Sequence, residues 1–144
     1  MGEQLEYGPL QDLFGFHLRQ AYTPFGQAYR KAAASFRLKP SQFTVLVLIM
    51  HNPGCSQSEL AEASNIERSN FVPIIDDLEQ RGLLRREKAP EDRRSYTIQL
   101  TAKGKKLVAK AAKPILSESK QVSSVLTAEE RSTLKRLLMK LYAA

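Results

Sequence analysis

Hydrophobic residues near the start of the chain recur at steps of three and four. This period is typical of an amphipathic helix whose apolar stripe faces a packing partner. A chain of 144 residues has little else to cover so long a stripe, so we expect part of it to pack on a second copy of the chain. Pro24 is expected to bend the helix near its middle. The stripe consists of Leu10, Leu13, Phe14, His17, Leu18, Ala21, Phe25, Tyr29, Ala32, Ala33 and Phe36.

A second helix is predicted to begin at Pro40 and to end at the sequence HNPG, residues 51–54. Proline suits the first turn of a helix because an amide hydrogen is not needed there. The proline and glycine of HNPG favour a turn. The predicted buried positions of this helix are Phe43, Leu46, Val47, Ile49 and Met50.

Two shorter helices joined by a tight turn at residues 63–66 come next. Ser56 and Glu59 have the spacing of a capping box, in which each side chain bonds a free amide at the helix start. Gly82 is placed to end the second of these helices in a left-handed conformation. Together the pair predicts a helix-turn-helix. The buried face of its second helix is predicted to carry Phe71, Ile74, Ile75 and Leu78.

Beyond Gly82 the apolar period changes to two, which predicts a β-hairpin. Its strands are LLRRE, residues 83–87, and RSYTIQL, residues 94–100, in which Tyr96, Ile98 and Leu100 alternate with polar residues. The connecting loop, residues 88–94, is polar and contains Pro90, so we expect it to protrude into solvent.

Two further helices are predicted after the hairpin. The first begins at Thr101 and is expected to kink at Pro114. The second begins at Thr127, which forms another capping box with Glu130. Its predicted buried stripe consists of Leu134, Leu137, Leu138 and Leu141.

The charge of the chain is unevenly distributed. Its 22 basic and 15 acidic residues give a net charge of +7, and the segment from Arg68 to Lys113 alone has 12 basic against 6 acidic residues. Such an excess favours a polyanionic partner. A helix fits the major groove of DNA, and a basic hairpin tip can reach the neighbouring minor groove. We therefore expect Arg93 and Arg94 to enter the minor groove, with the Asp92 carboxylate orienting Arg94.

Several classes of protein are excluded by what the sequence lacks. No apolar run reaches the roughly 18 residues of a membrane span, and MGEQLEYGPL is unlike a signal peptide, so we expect a cytoplasmic protein without a membrane partner. The single cysteine, Cys55, has no disulfide partner, and no metal-binding spacing occurs, so no metal or other cofactor is expected. The chain has no phosphate loop, dinucleotide fingerprint or plausible catalytic triad, which argues against an enzyme.

Four segments in order, LKPSQFTVLVLI, SQSELAE, ERSNFVPIIDDLEQRGLLRR and PEDRRSYTIQLTAKG, make the chain similar to the multiple-antibiotic-resistance-regulator (MarR) family of transcription factors. The likeness covers residues 38–104. The most specific motifs are Leu-Glu-x-Arg-Gly-Leu at residues 78–83, Asp-x-Arg at 92–94 and Leu-Thr-x-x-Gly at 100–104.

The resemblance implies a mainly α fold with a small β-hairpin wing. A winged helix-turn-helix core, about residues 38–104, would be joined to N- and C-terminal dimerisation helices, about residues 8–36 and 115–144, in one domain spanning 1–144. It also implies a homodimer that binds palindromic double-stranded DNA, most often as a repressor. A small ligand or an oxidant would release this dimer from the DNA. An alternative is a winged-helix architectural or interaction module that has no effector.

The resemblance also assigns DNA-binding residues. The positions that face base edges are Arg68, Ser69, Asn70, Val72 and Pro73, and the wing positions are Asp92, Arg93 and Arg94. Gln57 and Ser58 open the supporting helix, whose amides can face phosphate. Arg86 and Lys88 are candidate phosphate contacts, although like Arg85 they can equally be the polar side of a strand. Two residues depart from the family's pattern. Pro73 removes an amide and is expected to bend the helix, and Glu67 is a poor helix cap.

In the family the effector cavity lies between the dimerisation helices and the winged helix. Aromatic and histidine side chains there could hold an anionic aromatic ligand, with His17 and Arg19 or Arg30 pairing with its carboxylate. A plain dimer core explains the same residues. Cys55 precedes a helix start, where the helix dipole can lower the pKa of a thiol and make it reactive. Two interpretations of Cys55 are therefore open: a redox sensor, or a small residue in a turn. The candidate ligand-binding residues are His17, Arg19, Tyr22, Tyr29 and His51.

Overall fold

The computed structural model describes residues 5–89 and 96–143, and these residues form a mainly helical fold with one antiparallel two-stranded sheet. Short 3-10 helices cover Gly8–Asp12, Ala34–Phe36 and Ser123–Val125. In the part of the chain that is described, no helix is long and apolar enough to cross a membrane. The regular elements are α1 (Phe14–Ala33), α2 (Pro40–His51), α3 (Gln57–Ala63), α4 (Arg68–Gln80), β1 (Leu84–Lys88), β2 (Tyr96–Leu100), α5 (Ala102–Val122) and α6 (Ala128–Tyr142).

Contacts divide the chain into two units, and α1 and α5 each contribute residues to both. One unit is Ala32–Pro114, and the other is Met1–Lys31 with Ile115–Ala144. Within Ala32–Pro114, α2 packs on α3, α4 and β2, and β1 pairs with β2 and contacts α4. This arrangement confirms the mainly α fold with a hairpin wing. Its fully buried side chains include Val45, Leu46, Leu60, Phe71, Ile75, Leu78, Leu83, Leu84 and Ile98.

The helix-turn-helix forms where its sequence signals predict it. At the start of α3 the Ser56 hydroxyl accepts from the Glu59 amide at 3.2 Å, and the Ser56 amide donates to Glu59 Oε2 at 2.8 Å. Both halves of the predicted capping box are therefore present. At the start of α4, Glu67 occupies the cap position and makes no capping hydrogen bond with its side chain, which confirms it as a poor cap.

The end of α4 is a Schellman motif. Gly82 has a φ of +69°, its amide donates to the Glu79 carbonyl at 2.8 Å, and the Leu83 amide donates to the Leu78 carbonyl at 3.0 Å. A left-handed conformation disfavours residues with a Cβ, so glycine is the favoured residue here. The motif directs the chain from α4 into β1.

Hydrogen bonds fix the start of α5 to the end of α4. Thr101 donates its amide to the Leu83 carbonyl at 3.1 Å and its hydroxyl to the Gly82 carbonyl at 2.6 Å. A Cβ added to Gly104 would lie 2.0 Å from the Leu83 carbonyl oxygen, so only glycine permits this approach. The motifs at residues 78–83 and 100–104 are thus two halves of one contact.

A hydrogen bond between buried Gln42 and exposed Asp77 joins the start of α2 to the last turns of α4. Gln42 is only 7% exposed, accepts the Lys39 amide at 2.9 Å and donates to the Asp77 carboxylate at 2.7 Å. Gln42 and Val45 take buried places that the sequence analysis did not name. Met50, predicted to be buried, is 39% exposed because it lies in the last turn of α2, beyond the core.

In the unit formed by Met1–Lys31 and Ile115–Ala144, large apolar side chains remain exposed. The first helix begins at Phe14, later than predicted, because Leu13 is extended after the 3-10 turn. The predicted burial of the α6 stripe is wrong for the single chain, since no residue of α6 is buried. Leu134, Leu137 and Leu141 are 45%, 46% and 64% exposed. Within residues 5–89 and 96–143, this stripe is at most partly covered.

Candidate nucleic-acid interface

The recognition helix α4 has a buried face and an exposed face. Phe71, Ile75 and Leu78 point into the core. The five positions assigned to base contacts are all exposed, and Val72 is 41% exposed even though it is apolar. The face available to a partner therefore carries Arg68, Ser69, Asn70, Val72 and Pro73.

Pro73 lies in the middle of this exposed face, four residues after Ser69 and three before Asp76. The helix continues through it from Arg68 to Gln80. Because proline has no amide hydrogen, the Ser69 carbonyl has no donor from position 73. Pro73 can offer a base only an apolar contact, such as one with a thymine methyl group.

The start of α3 lies beside the start of α4. Gln57, Ser58, Arg68 and Val72 line one cleft of about 210 Å³. The structure therefore brings the two residues assigned to the supporting helix next to two assigned to base contacts. Ser58 is exposed, whereas Gln57 is half-buried and accepts a hydrogen bond from Arg86 Nε at 3.3 Å.

Arg86 on β1 is held by two carboxylates of α4. Its guanidinium donates to Asp76 and to Glu79, each at 2.5 Å, and its backbone amide donates to Glu79 Oε1 at 3.0 Å. Burial opposes the charged form, but the hydrogen bonds and charges of these carboxylates outweigh it and raise the pKa of Arg86. The arginine joins β1, α3 and α4.

The sequence alone did not reveal this network, and it left Arg86 as either a phosphate contact or a polar strand residue. A signal was present: Asp76 and Glu79 are three residues apart, on neighbouring turns of a helix that runs into a strand with two arginines. Because strand direction depends on the helix end at Gly82, the sequence alone did not show which arginine faces the carboxylates.

The described part of the wing leaves Lys88 exposed at the end of β1, paired in register with Tyr96. Lys88 belongs to the strand and not to the loop as predicted. Arg85 is exposed and forms an ion pair with Glu87 at 2.7 Å. The predicted minor-groove residues Asp92, Arg93 and Arg94 lie outside the described residues.

Cys55 is half-buried, and its backbone is fixed to the wing. Its carbonyl accepts from the Ile98 amide at 3.0 Å, and Ser56 forms an isolated bridge with Thr97. The segment before α3 therefore continues the sheet beside β2. This pairing gives Cys55 a structural position in the winged helix.

Four of the five candidate ligand residues lie on α1. His17 Nε2 is 2.7 Å from the Gln11 carbonyl, and Arg19 lies 5.9 Å from the centre of the Phe16 ring. Tyr22 is 62% exposed, and Tyr29 is half-buried. Burial, with a smaller effect from Tyr22, raises the pKa of Tyr29 to about 12. His51 is exposed at the end of α2, in the Ala32–Pro114 unit.

An open apolar groove runs through the unit formed by Met1–Lys31 and Ile115–Ala144. Its volume is about 760 Å³, and α1 and α6 supply most of its walls. Pro24 and Phe25 come from α1, and Leu134, Leu138 and Tyr142 come from α6. Among the described residues, no cluster of three or more metal-binding side chains occurs.

Comparisons with known proteins agree with this geometry. The sequence profile of the MarR family matches residues 38–96. A protein named as the transcriptional regulator for the hcr operon of Thauera aromatica is 34% identical over 140 residues, which cover 96% of this chain and 84% of that protein. The chain belongs to the MarR family. Like its relatives, this MarR-family protein is a transcriptional regulator.

Solved structures of MarR-family regulators superpose closely on it. The repressor CouR bound to a 23-mer DNA duplex has a TM-score of 0.91 and 35% identity, covering 97% of this chain and 99% of that one. CouR bound to p-coumaroyl-CoA has a TM-score of 0.88 and 32% identity, covering 96% and 98%. BpsR of Bordetella bronchiseptica, whose DNA binding is regulated by 6-hydroxynicotinic acid, has a TM-score of 0.89 and 25% identity, covering 99% of both chains.

Proposed function

We propose that this MarR-family protein is a homodimeric repressor that binds a palindromic DNA operator and is released by a small aromatic ligand. The observation that carries the proposal is the exposed surface of α4, which presents Arg68, Ser69 and Asn70 to solvent. Polar and basic side chains on a solvent-facing recognition helix are what base-edge contacts in a major groove need. The complex of CouR with a DNA duplex supports the same reading.

The residues divide into base contacts and backbone contacts. Asn70 is suited to pair with adenine, and Arg68 with guanine or a phosphate. Lys88, Arg93 and Arg94 act through charge on the wing side, with Asp92 orienting Arg94. Gln57 and Ser58 flank the base contacts from α3.

We infer a structural role for Arg86, for which a phosphate contact and a place on the polar side of a strand were the two expectations. Its guanidinium is occupied by Asp76, Glu79 and Gln57. Asp76 is on the exposed side of α4 and half exposed at its side chain, so its negative charge would repel DNA if left alone. We infer that Arg86 neutralises these two carboxylates and fixes β1 against α4.

A homodimer would cover the apolar surface that the single chain leaves open. Phe14 is 84% exposed, Val125 is 87% exposed and Leu141 is 64% exposed, far from the usual state of large apolar residues. Exposed apolar residues of this size, together with the apolar groove in the same unit, indicate an interface. We assign dimerisation to residues 8–36 and 115–144, with the winged helix-turn-helix at 38–104, in one domain.

An aromatic acid or its coenzyme A thioester is the proposed effector. The ligands of CouR and BpsR are p-coumaroyl-CoA and 6-hydroxynicotinic acid, and both join an aromatic ring to an acyl or carboxyl group. The side chains proposed to receive the ring are His17, Arg19, Tyr22, Tyr29 and His51. Redox control through Cys55 and an effector-free architectural role are the competing functions.

The test is a binding assay on the promoter region upstream of the protein's own gene. We expect a dimer by light scattering, and we expect operator binding that weakens with salt and is reversed by one aromatic acid or thioester. A monomer, or equal affinity for operator and random DNA, would contradict the proposal. Release by peroxide that is abolished in Cys55→Ser, with no ligand effect, would establish redox control instead. Operator binding that neither ligand nor oxidant changes would establish the effector-free module.

A further inference from the structure

A separate open cavity of about 490 Å³ lies within the Ala32–Pro114 unit, and among the described residues none of those proposed to contact DNA lines it. Its apolar wall is formed by Phe36 from the 3-10 turn after α1, Leu83 from the end of α4 and Leu107 from α5. The size is within the range of small-molecule and cofactor sites, about 300–1,000 Å³. The rest of the wall is cationic.

Three lysines of α5 stand along one side of the cavity. Lys103, Lys106 and Lys110 are spaced three and four residues apart, so they share a face with Leu107. Arg81, at the end of α4, adds a fourth cation. No carboxylate is among the described residues that line the cavity.

Lys103 and Arg81 have partners, whereas Lys106 and Lys110 have no ion-pair partner among the described residues. Lys103 Nζ donates to the Arg81 carbonyl at 2.7 Å, and Arg81 bonds the Phe36 carbonyl at 3.3 Å and pairs with Asp77 at 3.6 Å. Lys106 and Lys110 form no ion pair with any residue of the described ranges 5–89 and 96–143. Like charges on one helix face repel, so a bound anion between them relieves that repulsion.

We propose that this cavity binds a phosphorylated adenosine, with its ring against Phe36 and Leu107 and its phosphates between Lys106 and Lys110. An aromatic side chain beside an apolar floor suits a planar base, and lysines bind phosphate as point charges. Coenzyme A ends in an adenosine 3′,5′-bisphosphate, so the cavity would hold the charged end of a thioester effector. In that respect the inference rests on the proposed function. A free nucleotide offers the same chemistry.

The test is calorimetric titration of the full-length protein, without DNA, with adenosine 3′,5′-bisphosphate. We expect binding that weakens as salt rises, because the contacts are exposed ion pairs. The double variant Lys106→Gln, Lys110→Gln should lower the affinity about tenfold or more. The matched control Lys105→Gln, Lys113→Gln removes two charges from exposed positions of the same helix that do not line the cavity, and it should change the affinity less than about twofold.

A second comparison tests the ring contact. Phe36→Leu keeps an apolar wall without the aromatic face, so it should weaken the bisphosphate several-fold and leave inorganic pyrophosphate unchanged. Tighter binding of coenzyme A than of ADP or ATP would name the thioester as the source, and the reverse order would name a free nucleotide.

No binding to the wild-type protein, or equal losses in the two double variants, would overturn the inference. Operator binding measured on the same preparations reports separately on the proposed function. A protein that binds the operator but not the bisphosphate retains the repressor assignment and loses this site. One that binds the bisphosphate but no DNA retains the site and loses the repressor.

Discussion

The Arg86 guanidinium on β1 lies 2.5 Å from the Asp76 carboxylate on α4, so the wing and the recognition helix are joined by an ion pair. The same guanidinium reaches Glu79, and only 21% of the Arg86 side chain is exposed. A pair sheltered in this way restricts the angle between strand and helix more than a fully solvated pair does. This ion pair therefore helps to fix the position of the wing relative to α4 in the proposed DNA interface.

Replacing Arg86 with glutamine should reduce both stability and DNA affinity. Asp76 and Glu79 would lose their partner, at a cost of about 1–3 kcal/mol in the free energy of unfolding. Their unneutralised charge should also weaken binding to every DNA sequence. Arg85→Gln is the control, since Arg85 is exposed and should cost less than about 0.5 kcal/mol. Denaturant titration measures the free energy of unfolding, and fluorescence anisotropy of labelled DNA measures the affinity. Equal losses for the two variants would refute this role of Arg86.

Asn70→Ala and Arg94→Ala should separate base readout from charge. The Asn70 variant should lose about 1–3 kcal/mol of preference for operator over random DNA while keeping its non-specific affinity. The Arg94 variant should weaken binding to all sequences and flatten the dependence on salt. Titrations of both DNAs at several salt concentrations decide the matter. Equal losses on the two DNAs for Asn70→Ala would make Asn70 a phosphate contact.

Leu134→Glu should dissociate the dimer. Leu134 lines the apolar groove and is 45% exposed in the single chain, so a charge there would be buried without a partner on dimerisation. Ser132→Glu introduces the same charge on the opposite side of α6 and should leave the dimer intact. Light scattering at working concentrations gives the answer. A Leu134→Glu dimer as stable as wild type would remove this groove from the interface.

Gly104→Ala should destabilise the winged helix. The added Cβ would lie 2.0 Å from the Leu83 carbonyl oxygen, a backbone atom that cannot move without disturbing the end of α4. We expect a loss of about 2–4 kcal/mol in the free energy of unfolding. Gly15→Ala on α1 meets nothing within 4 Å and should be neutral or stabilise by up to about 1 kcal/mol. A Gly104 variant with wild-type stability would show that the α5 contact adapts.

Tyr29 should make stability sensitive to alkaline pH. Burial raises its pKa from 10.0 to about 12, so the folded state holds the phenolic proton more tightly than the unfolded state. Its contribution is fully present below pH 10 and is lost as the pH rises towards 12. Tyr29→Phe should make this decline shallower in denaturant titrations. Tyr22→Phe removes a nearby charge and should lower the pKa of Tyr29 while burial still raises it. An unchanged slope in Tyr29→Phe would contradict the shift.

Much of the fold was readable because its signals are local. The capping box at Ser56 and Glu59 satisfies helix amides only three residues apart. Gly82 ends α4 through its own left-handed conformation, which is a property of a single residue. The alternation at Ile98 and Leu100 likewise reports burial on one side of a strand. These interactions join residues that are close together in the sequence, so their positions could be predicted.

The amino-acid sequence by itself determined the helix-turn-helix, the hairpin and the exposed polar face of α4, because periodicity and capping act within a few residues. Only the tertiary structure showed that Arg86 serves Asp76 and Glu79, and that Gly104 is required by the Leu83 carbonyl. The tertiary structure also showed that Lys106, Lys110 and Phe36 line one cavity. Each of these relationships joins residues from different elements. Which side chains meet there depends on the angles between packed helices and strands, and no local pattern encodes those angles.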